Sequence, residues 1–108
     1  MAKSIMQANK ECYLCRKQYN IRTVRGLECH HIFPGVARRD LCERFGLKVW
    51  LCHRHHNKPP IGVHHNAAAM HELQADAQRA YDARYGDGAL ARDMGKNYLL
   101  LVGGQYEI

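Results

Sequence analysis

Two ligand pairs with the spacing of a zinc knuckle, Cys12-x-x-Cys15 and Cys52-x-x-His55, restrict this chain more than any other feature. Two thiolates three residues apart can hold one ion from a tight turn and fill two of its four tetrahedral positions. A second pair completes the shell and leaves no position open to a reactant. The sequence therefore predicts a structural Zn2+ bound by three cysteines and one histidine.

Two further cysteines, Cys29 and Cys42, compete for the same role. Cys29 lies in a predicted strand and Cys42 in a predicted short helix, where an unligated cysteine is usually a small buried apolar residue. Either could take the place of Cys52 or His55.

Length and composition indicate one small domain. The chain has 108 residues, of which 46% are hydrophobic, so its core is small and a metal is a suitable staple. The sequence shows neither an apolar run of the roughly 20 residues that span a bilayer nor an apolar segment at its N-terminus. We therefore expect a cytoplasmic protein without membrane association, in which cysteines stay reduced.

Positive charge and histidine are concentrated in the same part of the chain. Residues 1–65 contain 12 lysines and arginines against 4 acids, whereas residues 66–108 contain 4 against 6. Seven of the eight histidines lie between positions 30 and 65. This asymmetry favours a nucleic-acid partner, since phosphates attract a basic surface. The alternative is a solvated basic face.

The pattern of apolar and turn residues predicts an α+β fold. Strands are expected in two short runs, at residues 27–32 and 47–52. A long helix is expected over residues 66–86, ending at Gly86. Its apolar stripe consists of Met70, Leu73, Ala77, Ala80, Tyr81 and the stem of Arg84. Shorter helices are expected at residues 40–46 with Asp40 as N-cap, from residue 53 until Pro59-Pro60, and at residues 88–95. Residues 97–104 are expected to form a terminal strand or an apolar tail.

Three sequence stretches resemble the HNH, or ββα-metal, endonucleases in their zinc-containing form. After the first cysteine pair come "ECHHIF", then "GLKVWLCHRHHN", then "GVHHN". The resemblance covers residues 10–85, followed by a C-terminal helix and tail at 86–108, and is strongest to small phage and prophage members of Ref-like type. It implies one nuclease domain over residues 1–108 with a ββα-metal core and a zinc knuckle. It also implies metal-dependent, weakly sequence-specific hydrolysis of DNA phosphodiester bonds in a bacterial host cell.

The resemblance also implies roles for individual histidines. His31 matches the general base that activates water, a task suited to a neutral imidazole. His30 and His56 match ligands of a catalytic divalent ion, Mg2+ or Mn2+, with Zn2+ or Ni2+ as alternatives. Because neighbouring residues of a strand alternate between faces, His30 and His31 could exchange roles.

The chain departs from the family pattern where an asparagine is expected between the strands, near Leu47. His64 and Asn66 are the candidates to replace it, as ligands of the catalytic ion or as residues that orient His31. Asn66 is also a suitable N-cap for the long helix.

Four basic residues, Arg38, Arg39, Arg54 and Lys58, are expected to bind DNA phosphates. Two alternatives to a nuclease remain. One is a non-catalytic zinc-knuckle module that binds DNA. The other is a phage accessory protein with a protein partner in a recombination or packaging complex.

Overall fold

A computed structural model describes residues 3–101. It contains a two-stranded antiparallel sheet, formed by β1 (Leu27–His31) and β2 (Lys48–Cys52). Five α-helices are described: α1 (Tyr13–Tyr19), α2 (Val36–Phe45), α3 (His53–Asn57), α4 (Ala67–Tyr85) and α5 (Ala89–Met94). The mixture of helices with an antiparallel sheet agrees with the predicted α+β class. Within residues 3–101 no helix is both long and apolar enough to cross a membrane.

The two strands pair over their full length, from Leu27 opposite Cys52 to His31 opposite Lys48. Side chains alternate across a strand, so Glu28 and His30 lie on one face while Cys29 and His31 lie on the other. The register therefore separates the two adjacent histidines.

The first cysteine pair lies at the start of α1. Cys12 is the N-cap, and its Sγ accepts a hydrogen bond from the Cys15 backbone N–H at 3.4 Å. An extended N-cap followed by a helical turn brings two thiols three residues apart onto the same side. The predicted knuckle is thus the first turn of a short helix.

Helix α2 begins earlier than predicted. We expected Asp40 as N-cap, but the helix starts at Val36 after Gly35, and Asp40 lies inside it. Pro34-Gly35 acts as the entry to the helix, because Gly35 takes a φ of 103° that other residues rarely adopt. The predicted end is confirmed: Gly46 has a φ of 72° and its N–H donates to the Cys42 carbonyl.

Helix α4 is confirmed with both of its predicted ends, the Asn66 cap and Gly86. Its buried face differs from the predicted stripe. Leu73, Ala77 and Tyr81 are buried as expected, but Arg84 is exposed. The helix instead buries two amides, Gln74 and Gln78. Gln78 can be buried because its Oε1 accepts from the Tyr98 N–H and its Nε2 donates to Asn97.

The core lies between the sheet and α4. Its largest side chains are Phe33, Leu14, Ile32, Leu47, Leu51, Leu73 and Leu90, all fully buried. The predicted helix near residues 88–95 is α5, and residues 98–101 form a 3-10 turn rather than a strand. Residues 102–104 of the predicted strand or tail lie outside the described part of the chain.

Candidate metal centres

Cys12, Cys15, Cys52 and His55 converge on one point. Cys15 Sγ lies 3.8 Å from Cys52 Sγ, and His55 Nδ1 lies 3.6, 3.4 and 3.4 Å from the sulfurs of Cys12, Cys15 and Cys52. With Zn–S bonds of about 2.3 Å and Zn–N bonds of about 2.0 Å, a tetrahedron has S–S edges of about 3.8 Å and S–N edges of about 3.5 Å. The four side chains can therefore hold a metal such as zinc in tetrahedral geometry.

The chemistry of the cluster also favours a cation. Cys12 is fully buried, and burial raises the pKa of its thiol to about 12. A thiolate at this position needs a positive charge beside it, which a metal ion supplies. Burial also lowers the pKa of His55, so its imidazole is neutral and has a lone pair for a metal.

The competing cysteines lie elsewhere. Cys42 is buried under Phe33, with its Sγ 3.8 Å from the Phe33 carbonyl oxygen. Cys29 is exposed on the sheet. Neither belongs to the group of three cysteines and one histidine.

A second cluster contains His30 of β1, His56 of α3 and His64 of the 3-10 turn Val63–His65. Each offers a nitrogen within 4.8 Å of the other two. The ring centroids are 5.2 Å apart for His30 and His56, 5.1 Å for His30 and His64, and 4.8 Å for His56 and His64. Three imidazoles at these separations can share one metal ion.

His30 is the most constrained of the three. It is 3% exposed, and its Nε2 has no hydrogen-bond partner within residues 3–101. Burial, with His56 and His64 nearby, lowers the pKa of His30 to about 3, so the ring is neutral. A buried nitrogen without a partner is costly in a folded protein, and a metal ion in this cluster is one partner that would satisfy it.

Glu28 is a functional candidate that the sequence reasoning missed. The Nδ1–H of His56 donates to Glu28 Oε1 at 2.7 Å, which fixes the tautomer and turns Nε2 of His56 toward His64 at 3.1 Å. A carboxylate behind a ligating histidine is a common way to orient the ring. The signal was present in the sequence, because Glu28 precedes His30 by two residues and so shares its face of β1.

A close approach of the backbone brings His64 to this cluster. A Cβ atom built on Gly62 would lie 2.6 Å from the Lys58 nitrogen and 2.8 Å from the Asn57 nitrogen. Only glycine allows the segment before His64 to pack this closely against the end of α3.

His31 lies apart from the three clustered histidines and pairs with Glu43 of α2. The Nε2–H of His31 donates to Glu43 Oε2 at 2.5 Å, and Lys48 Nζ lies 3.3 Å from both carboxylate oxygens. Because Glu43 engages Nε2, Nδ1 is the nitrogen that can accept a proton from water. Hydrogen bonds from His31 and Lys48 lower the pKa of Glu43, so it stays ionised. Sequence reasoning also missed Glu43.

The structure does not bring Asn66 into the histidine cluster. Its Oδ1 accepts from the Ala69 N–H at 3.0 Å as the cap of α4, and its Nδ2 donates to the Pro60 carbonyl at 3.4 Å. Leu47, at the position expected for the family's asparagine, is fully buried in the core.

His30, His31, His56 and His64 all line one open cavity of about 390 Å³. Of the four basic residues predicted to bind phosphate, Arg39 lines this cavity and Arg38 lines a neighbouring one. Arg54 and Lys58 are exposed on and after α3, and the described walls of these two cavities do not include them.

No known protein family, curated protein or solved structure matches this chain. The candidate centres therefore have to be interpreted from their own geometry.

Proposed function

We propose that this protein is a metal-dependent endonuclease of the HNH type that hydrolyses DNA phosphodiester bonds. The observation that carries the proposal is the shared cavity. Three histidines suited to a metal line it together with His31, whose ring is held by Glu43, and with Arg39. A metal site, an oriented imidazole and a cation for phosphate are the groups that this reaction needs.

The order of the elements also supports the resemblance. Strands β1 and β2 and helix α3 follow one another, with α2 inserted between the strands. His30 and His56 come from the strand and helix positions that the resemblance implies. The departure at Leu47 is compensated by His64, which offers a third ligand nitrogen where the family's asparagine is missing.

In this proposal the Cys3His cluster holds a structural Zn2+. All four positions are taken by protein ligands, so no position is left for substrate. The ion would join α1 to the start of α3 and so hold His56 in place.

His30, His56 and His64 would hold the catalytic ion. A bound divalent ion supplies positive charge that stabilises the phosphate as its charge increases in the transition state. The donor set, three imidazole nitrogens, suits Zn2+ or Ni2+ better than Mg2+, which prefers oxygen ligands. We therefore place transition metals first among the activating ions.

The remaining roles in the reaction are assigned to His31, Glu43 and Arg39. His31 accepts the proton of the attacking water at Nδ1, while Glu43 holds the ring through Nε2 and stabilises the imidazolium that forms. The water oxygen bonds to phosphorus as the bond to the leaving oxygen breaks, and the leaving oxygen takes a proton from solvent water. Arg39 stands in the cavity wall, where its guanidinium can hold a phosphate oxygen.

The direct test is nicking of supercoiled plasmid DNA by the purified zinc-loaded protein, with Zn2+, Ni2+, Mn2+ or Mg2+ added in turn. We expect nicking that stops when a chelator removes the added ion. If the protein binds plasmid but cuts with none of these ions, the nuclease proposal is wrong and the alternative of a zinc-knuckle DNA-binding module is favoured. The excess of 12 basic residues over 4 acids in residues 1–65 is the observation that supports that alternative.

Glu28→Gln is expected to weaken metal binding at the histidine cluster by about 10- to 100-fold, the usual cost of losing a carboxylate behind a ligating histidine. The measurement is calorimetric titration of Ni2+ into protein whose Cys3His site already holds zinc. Glu72→Gln serves as the matched control, since Glu72 pairs with Lys17 away from the cluster. Equal Ni2+ affinity in the Glu28→Gln variant and the parent would show that Glu28 does not support this site.

A further inference from the structure

A second cavity of about 620 Å³ adjoins the histidine cavity. The two share Pro34, His64 and Met70 as wall residues, so they lie side by side. We call the second cavity the basic groove. It lies between the first half of α4, the start of α2 and the segment after α5.

The basic groove is lined by basic side chains. Arg38, Lys96, His65 and His71 contribute to its wall, and among the residues that the structure describes neither an aspartate nor a glutamate does. Arg38 and Lys96 are both exposed, and neither forms an ion pair within residues 3–101. Lys96 Nζ lies 5.4 Å from the ring centroid of Tyr98, a cation–π contact that can limit its movement.

These basic residues come from separate elements of the chain. Arg38 belongs to α2, His71 to α4 and Lys96 to the segment after α5. The fold brings them together, so they are not the solvated charged face of a single helix. Its wall combines residues of the basic part of the chain, such as Arg38 and His65, with Lys96, one of only 4 basic residues in residues 66–108.

An amide in the groove is available to a ligand. Gln74 lines the wall and is 7% exposed, and its side chain makes no hydrogen bond within residues 3–101. Its neighbour on α4, Gln78, is also buried but is fully engaged by Asn97 and Tyr98. The Gln74 amide can donate to a phosphate or sugar oxygen.

We propose that the basic groove holds the backbone of a DNA strand as it leaves the histidine cavity, with Arg38 and Lys96 on its phosphates. The inference rests on the proposed function in taking DNA as the partner, and it assigns the path of that DNA. The proposed path of the DNA strand runs along α4 and away from Arg54 and Lys58 on the α3 side.

The test compares DNA binding by three zinc-loaded variants with that of a His31→Ala parent. Each variant carries a pair of substitutions in the same His31→Ala background, so that the probe is not cut. The groove variant is Arg38→Ala/Lys96→Ala, the α3-side variant is Arg54→Ala/Lys58→Ala, and the charge-matched control is Arg79→Ala/Arg84→Ala on the exposed side of α4. The probes are short labelled oligonucleotides, single-stranded and duplex, measured by fluorescence anisotropy over a range of salt concentrations.

We expect the groove variant alone to bind more weakly, by at least about 10-fold at low salt. The slope of log K against log salt should fall by about 1.4 to 1.8, since each lost phosphate contact removes roughly 0.7 to 0.9. Failure of the parent to bind either probe would overturn the inference together with the DNA partner. Loss in the α3-side variant but not in the groove variant would overturn the assigned path alone. The nuclease proposal can also fail alone. If the unmodified protein nicks no plasmid but the groove variant binds DNA more weakly, the path of the DNA is supported and the nuclease proposal is wrong.

Discussion

Replacing Cys12 with serine is expected to leave the protein unfolded. Cys12 is fully buried between α1 and α3, and it is one of three thiols around His55. Structural zinc contributes about 10–16 kcal/mol of binding free energy in small metal-dependent domains, whereas a whole domain is stable by only about 5–15 kcal/mol. A chain of this size therefore cannot lose the ion and remain folded. Circular dichroism and metal analysis of the purified variant would measure both effects.

Cys29→Ser is the matched control for this experiment, because Cys29 is exposed and outside the ligand group. It should retain one zinc per chain and melt close to the parent. A strong chelator should unfold the parent and the control alike. A parent that is folded and free of transition metal, or a Cys12→Ser variant with a parental melting temperature, would contradict a structural zinc.

His31→Ala is expected to reduce plasmid nicking by about 10²- to 10⁴-fold, the usual contribution of a general base. The fold and both metal centres should remain intact, because His31 is half-buried and belongs to neither ligand group. The initial rate of nicking is the measurement, at saturating metal and DNA. The zinc content and Ni2+ affinity of the same variant show whether the lower rate comes from the catalytic step or from lost metal binding.

His53→Ala provides the comparison for His31→Ala. His53 has 64% of its side chain exposed and makes only a 3.3 Å contact with Glu28, so its loss should leave most of the activity. If His31→Ala nicks DNA at the parental rate, another group takes the proton and the assigned mechanism is wrong. If both variants lose activity equally, the loss is not specific to His31 and its assignment as the base is wrong.

The parts of the structure that the sequence predicted best are those governed by local spacing. The first zinc pair depends on a three-residue step, and the limits of α4 depend on Asn66 and Gly86, so both could be recognised without knowing the fold. The separation of His30 from His31 also follows from the two-residue period of a strand. Spacing alone does not predict the cluster of His30, His56 and His64, and the family resemblance was needed to propose it. The reason is that His64 reaches the cluster through the packing of Gly62 against α3.

The misses have a common cause, which is that they depend on distant partners. Glu43 could not be linked to His31 from the sequence, because their pairing depends on how α2 packs against β1. Gln78 is buried only because Asn97 and Tyr98 satisfy its amide. Amphipathic periodicity predicts an exposed glutamine and a buried stem for Arg84. It contains no information about distant hydrogen-bond partners such as Asn97 and Tyr98.

His55 and His56 are neighbours in the five-residue helix α3, yet they belong to different metal clusters. One peptide unit joins them, so we expect a backbone shift that metal binding causes at one cluster to reach the other. Occupancy of the closed site would then bias the affinity of the open one, and thermodynamic reciprocity would make the bias mutual. We expect a loading order in which a newly made chain takes up zinc before it can retain a second ion. Under the proposed nuclease function, the protein would not cut DNA until zinc reached it, and zinc supply would set the moment at which cleavage begins.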